Sequence, residues 1–132
     1  MLEGSCLCGG IRYQYHGEIT EIAMCHCGQC RRGQGTGFVT NSPVERARFQ
    51  LLTGAELIRE YRASPLKLRA FCGHCGSPLY SARDDLPEII RLRLGTVTTP
   101  FSCEQRYHIF VDSKADWVTI SDGYPQFARM KP

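Results

Sequence analysis

The sequence predicts a mainly β fold: short antiparallel strands in a sandwich-like arrangement, with one or two short helical turns, in a single domain spanning residues 1–132. Three observations carry that expectation. Short stretches alternate apolar and polar residues with a period of two. Clusters of turn-forming residues separate them at close intervals. No helical pattern long enough to serve as a crossover lies between them, so neighbouring strands are expected to pair antiparallel.

The elements follow in chain order. In IRYQY, Ile11, Tyr13 and Tyr15 alternate with Arg12 and Gln14, the pattern of a half-buried strand. TEIAMC, GFVT, RFQLL, LIREY and LKLRAF read the same way, as do IIRLRL, RYHIFV and WVTI. Breaks are expected at His16-Gly17, Asn41-Ser42-Pro43, Thr53-Gly54, Ser64-Pro65, Asp84-Asp85 and Asp122-Gly123. Helix is expected only for a turn or two after Cys27 and near DSKADW. Repeats, low-complexity segments and linkers are absent.

Composition excludes several classes of function. Hydrophobic residues at 42% and charged residues at 22% describe an ordinary soluble protein. The opening MLEGSCLCGG lacks the basic start and apolar run of an export signal, and no apolar stretch approaches the roughly 18 residues of a membrane span. A cytoplasmic protein with no membrane partner is expected. The net charge of +3 comes from 16 basic residues, scattered among 13 acids, with neither the stripe nor the run that marks nucleic-acid binding. Arginine supplies 13 of those bases. Its planar fork matches carboxylate or phosphate, although any single arginine is more simply read as solvated surface.

Eight cysteines in a reducing compartment point to metal rather than disulfides. CLC places Cys6 and Cys8, CHCGQC places Cys25, Cys27 and Cys30, CGHC places Cys72 and Cys75, and Cys103 stands alone. Four thiolates close a tetrahedral zinc site, whereas three leave a position open, as catalytic zinc requires. Joining Cys6 and Cys8 to Cys72 and Cys75 makes the set of four; joining either pair to the triple would waste a thiolate. CGHCG has the form of a zinc knuckle, in which Gly76 takes a positive φ and backbone N–H groups point at sulfur, and Gly9 and Gly10 follow CLC in the same way. The expectation is thus a zinc-stapled domain with two Zn2+ per chain, one structural and one labile.

Cys25, Cys27 and Cys30 would hold the second ion, with water or a substrate thiolate in the fourth place. Three thiolates on a dication leave one negative charge, which Arg31 and Arg32 could offset. Alternatively His26, His74, His108, His16 or Cys103 closes the site. His26, between two ligands in an extended segment, should point away from them, to a place behind the ligands or at the surface. His74 reads as exposed, His108 as a hydrogen-bonded core histidine, and Cys103 as a small apolar residue. A thioredoxin-like role for CGQC would need a strand–helix–strand setting that is missing here.

GSCLCGGIRY, CHCGQCRRGQGTGF, RAFCGHCGSPLY and LRLGTV, followed by RYHIF, DW and DGYPQF, together resemble the glutathione-dependent formaldehyde-activating enzyme family, whose eukaryotic relatives include centromere protein V. The resemblance implies a β-rich fold around two zinc ions, with Cys6, Cys8, Cys72 and Cys75 at the structural ion and Cys25, Cys27 and Cys30 at the catalytic one. It also implies condensation of formaldehyde with glutathione to S-(hydroxymethyl)glutathione, a carbon–sulfur lyase activity in reverse. The partner would be a small-molecule thiol such as glutathione, and the chain a monomer or homodimer. Two other classes remain open on the residues alone: a non-catalytic zinc-binding interaction module, and a redox or zinc-responsive switch in which loss of the labile metal lets two of Cys25, Cys27 and Cys30 oxidise.

Overall fold

A computed structural model describes all residues, Met1–Pro132. Ten strands form two sheets. The smaller contains β1 (Leu2–Ser5), β2 (Arg12–Tyr15) and β5 (Phe49–Thr53) in the order β1-β2-β5. The larger contains β3 (Ile22–Cys25), β4 (Val39–Glu45), β6 (Ile58–Ser64), β7 (Lys67–Cys72), β8 (Pro78–Arg83), β9 (Ile89–Arg93) and β10 (Arg106–Ile109), in the order β10-β3-β4-β9-β8-β7-β6. The single α-helix, α1 (Gly28–Gln34), follows β3 directly. The mainly β fold with one short helix is the one the sequence predicts, and no helix is long and apolar enough to cross a membrane.

Alternation decides what each face of the large sheet meets. Val44, Ile90, Leu92 and Ala82 are cross-strand neighbours on one face, and they pack on Leu2, Tyr13 and Tyr15 of the small sheet in the main core cluster. This is the sandwich interface. Phe49 of β5, partly buried, packs against it, 4.9 Å from the Tyr13 ring and 5.9 Å from Tyr80. The opposite face carries Ala23, Cys25, Val39, Tyr107 and Ile109, which pack with Cys30 of α1. The sheet thus has an apolar side that stabilises it and a second side on which thiols are held.

Three expectations need correction. Asn41-Ser42-Pro43 is not a turn, because β4 runs through it. β3 pairs with β4 only over Val39–Asn41, so Pro43 lies where β4 has a partner on one side alone and a missing N–H costs no ladder bond. WVTI is not a strand; Trp117 is 74% exposed, in a turn. The pairing of β10 with β3 is parallel. These strands are far apart in sequence, so no hairpin dictates their direction, and alternation is blind to it. β10 is also not a bare edge, since His108 N–H donates to Pro125 O at 2.8 Å and Phe127 N–H to His108 O at 2.9 Å. β1 and β8 form on LEGS and PLYSAR, outside the stretches whose alternation predicts strands. The expected helical turn near DSKADW is a short 3-10 turn at Val111–Ser113.

Candidate metal centres

The first cluster joins a turn near the start of the chain to one at its middle, Cys8 lying 64 positions before Cys72. Cys6, Cys8, Cys72 and Cys75 bring their four Sγ atoms within 4.8 Å of one another. Cys6 and Cys8 Sγ lie 3.5 Å apart, and Cys8 and Cys72 Sγ 3.9 Å. Two sulfurs at about 2.3 Å from one tetrahedral zinc would be about 3.8 Å apart, so the set fits that ion. The turns are built as the knuckle pattern requires. Gly9 has φ 79° and Gly76 φ 82°; Ile11 N–H donates to Cys6 Sγ at 3.3 Å and Cys75 N–H to Cys72 Sγ at 3.5 Å. Such donors favour thiolate over thiol. The Ser77 hydroxyl, 3.3 Å from Cys75 Sγ, helps hold that thiol down to about 5.

The second cluster is Cys25, Cys27 and Cys30, their Sγ atoms again within 4.8 Å of one another, with no fourth Cys, His, Asp or Glu in the group. Cys25 ends β3, Cys27 caps α1 by accepting from Cys30 N–H at 3.3 Å, and Cys30 faces back from the first helical turn. Gly35, with φ 62°, then stops the helix. Hydrogen bonds with Cys27 and Cys30 push the Cys25 thiol up; the corresponding bonds with Cys25 and Cys27 hold Cys30 far down, aided by the charges of Arg93 and Lys67. A buried group of thiols competing over so few protons is a natural seat for a cation. A dication with three protein sulfurs and an open position fits it.

The histidines divide as follows. His74 and His16 are exposed. His26 is fully buried, not at the surface, and is not among the grouped ligands. Its Nε2 lies 2.8 Å from His108 Nδ1, and His108 Nε2 lies 3.1 and 3.0 Å from the two Asp122 oxygens. The carboxylate assigns the tautomers: His108 Nε2–H donates to Asp122, so His108 Nδ1 accepts from His26 Nε2–H, leaving His26 Nδ1 a buried acceptor with no protein donor. Burial foremost, then the neighbouring His108, lowers His26 to about 4, consistent with a neutral ring. Cys103 is buried in the main core, as a small apolar residue.

Burial opposes ionisation of Asp122, but the bonds from His108 and Tyr124 N–H hold its carboxyl below the ordinary range. Asp122→Asn should therefore cost about 1 kcal/mol or less at neutral pH, because the carboxylate is 37% exposed and screened. A depressed folded pKa contributes stability above the unfolded value of about 4 and loses it as pH falls through the folded value, so the difference between wild type and variant should begin to shrink near pH 4 and vanish only below the folded pKa, which lies lower. Urea unfolding at a series of pH values reads this directly.

Sequence reasoning missed the cations around the second cluster. Arg31 donates to His26 O at 3.4 Å and Arg32 is exposed. Arg69 Nη1 instead lies 3.8 Å from Cys30 Sγ and 3.2 Å from Gln29 Oε1, with Arg93 and Lys67 beside it. The signal was present in the alternation of Lys67 with Arg69 and of Arg91 with Arg93, which puts each pair on one strand face.

Fold and site together define a β-sandwich protein with one closed and one open cysteine cluster, each suited to a metal ion. The chain belongs to the glutathione-dependent formaldehyde-activating enzyme family, whose model matches residues 1–113. A Halomonas elongata protein named for that family is 28% identical over 141 aligned positions, covering 95% of this chain and 89% of that protein. A Schizosaccharomyces pombe protein described as an uncharacterized lyase is 31% identical over 80 positions, 61% of this chain and 56% of that protein. A crystal structure of a Rhodobacter sphaeroides protein shares the fold, with TM-score 0.62 and 20% identity over 75% of this chain and 90% of that one.

Proposed function

We propose that the protein is a zinc-dependent carbon–sulfur lyase-type enzyme acting on a glutathione adduct or that of a similar thiol, in the manner of an S-(hydroxymethyl)glutathione synthase. Cys6, Cys8, Cys72 and Cys75 hold a structural zinc, and Cys25, Cys27 and Cys30 a labile, catalytic one. The observation that carries this reading is the incomplete ligand set of the second cluster, three thiols with no fourth protein donor among them. The family match and the names of the two relatives support an enzyme of this general kind.

When bound, zinc supplies a seat for the substrate sulfur and lowers its pKa, so that thiolate is present at neutral pH. The chain's own residues do the rest. Cys25, Cys27 and Cys30 fix the seat on a strand end and a helical turn, both anchored by backbone bonds. Arg93 and Lys67 favour ionised Cys30 and offset the excess negative charge of the cluster. In the forward direction the thiol loses its proton and sulfur forms a bond to the formaldehyde carbon. The carbonyl pair moves to oxygen, which takes up a proton. The reverse breaks the carbon–sulfur bond and restores the aldehyde, and neither direction needs an oxidant.

Two-dimensional NMR exchange spectroscopy on mixtures of formaldehyde and glutathione tests the proposal. The expected result is an exchange rate between free and adduct forms that rises in proportion to added protein, above the spontaneous rate. An unchanged rate with fully metal-loaded protein would overturn it.

A further inference from the structure

The buried histidines His26 and His108 take no part in the proposed chemistry, yet they lie directly behind the open cluster. His26 is the one residue between Cys25 and Cys27. In the β3–β10 pairing Ile109 stands opposite Cys25 and His108 opposite Met24, so alternation puts both imidazoles on the side of the sheet away from the thiols. There the His26 ring meets Phe38 and His108 at centroid separations of 4.9 and 5.0 Å.

That ring is held from one end only. His26 Nε2–H donates to His108 Nδ1 at 2.8 Å, and Nδ1 of His26 is buried with no protein donor. His108 is held more firmly. Its Nε2–H faces both Asp122 oxygens, at 3.1 and 3.0 Å, and its backbone bonds to Pro125 O and Phe127 N–H tie it to the C-terminal segment. Tyr124 N–H donates to Asp122 Oδ1 at 3.1 Å, which fixes the carboxylate within the same segment. Phe127 packs against the hydrophobic cluster that contains Cys25 and Cys30. One short stretch thus supports the open cluster directly through Phe127 and indirectly through two imidazoles.

The carboxylate matters because it removes a choice. A neutral imidazole carries its proton on either nitrogen. Facing a carboxylate, His108 carries it on Nε2, which leaves Nδ1 to accept from His26. An amide at position 122 donates as readily as it accepts, and His108 is then free to carry its proton on Nδ1. His26 would have to accept at Nε2 and bury an unpaired N–H at Nδ1, at the cost of a lost hydrogen bond. The backbone bond from His26 N–H to Ile109 O, 3.0 Å, sets the height of the turn; the anchored ring sets its rotation, and with it the directions of Cys25 and Cys27 Sγ.

We propose that Asp122, acting through His108 and His26, is a positioning residue for the second metal, and that this chain sets how long the ion stays among Cys25, Cys27 and Cys30. The inference rests on the reading that zinc occupies that cluster. Groups that orient a metal ligand from behind change affinity about 10–100-fold. The closed cluster of Cys6, Cys8, Cys72 and Cys75 draws its support from Ile11, Cys75 and Ser77, and shares none of these contacts.

Zinc release from the full-length, zinc-loaded protein to the chromophoric chelator pyridylazoresorcinol tests this. Wild type should release its ions in two phases, and Cys25→Ser, lacking the faster one, assigns that phase to the second cluster. Asp122→Asn should speed the faster phase about tenfold or more and leave the slower phase as in wild type. Asp122→Glu, which keeps the carboxylate, should release at nearly the wild-type rate. An unchanged faster phase in Asp122→Asn would overturn the positioning role while leaving two bound ions intact. Equal acceleration of both phases with a markedly lowered urea midpoint would make Asp122 a general stabiliser, and would overturn it too. A wild type that holds one ion only would sink the occupied second cluster itself, and the positioning role with it.

Discussion

Cys72→Ser is expected to unfold most of the chain. Cys72 is fully buried at the end of β7, in a small core cluster with Cys6, Ile11 and Leu79. It faces Cys8 across 64 positions of sequence, so an ion held there closes a long loop and anchors the N-terminal turn. Structural zinc binding contributes on the order of 10 kcal/mol or more of apparent folding free energy. That is as large as the whole stability of a typical chain of this size, about 5–15 kcal/mol. Removing one of four thiolates, or stripping the ion with a strong chelator, should abolish the cooperative thermal transition seen by circular dichroism. A variant that melts within a few degrees of wild type would show that the main core holds without this cluster.

Cys25→Ser should have the opposite profile, a folded protein without the proposed activity. Cys25 is 4% exposed at the end of β3. A hydroxyl in its place costs about 1–3 kcal/mol if left unpaired, which the closed cluster and the sandwich interface can absorb. Zinc content should fall by one ion per chain. Loss of a group that merely supports a metal ligand costs about 10–100-fold in activity, so loss of a ligand should exceed that. Exchange kinetics together with zinc analysis check both halves; retained exchange in a variant holding one ion would place the chemistry elsewhere.

The parts of this architecture legible in the sequence were those written in local chemistry. IRYQY and LKLRAF showed their strands because alternation is a property of consecutive residues, and CGHCG announced a turn because only glycine sits easily at φ 82°. The pairing of the thiols followed from ligand arithmetic, and the distances agree with it. What remained hidden depended on partners distant in sequence. The parallel match of β10 to β3, the His26–His108–Asp122 chain and the convergence of Lys67, Arg69, Arg91 and Arg93 on one face each require knowing which strands are neighbours. Pro43 misled because proline is read as a turn residue, and an unpartnered side of a strand is a tertiary fact.

The central claim is that the second cluster binds metal with a place left for an outside sulfur. Its most direct test is to measure zinc per chain, replace the zinc with cobalt, and titrate the cobalt protein with glutathione while recording the cobalt–thiolate absorption. The account predicts two ions per chain and a saturable spectral change that Cys25→Ser abolishes. One ion per chain, or two with a spectrum that no thiol alters, would contradict it.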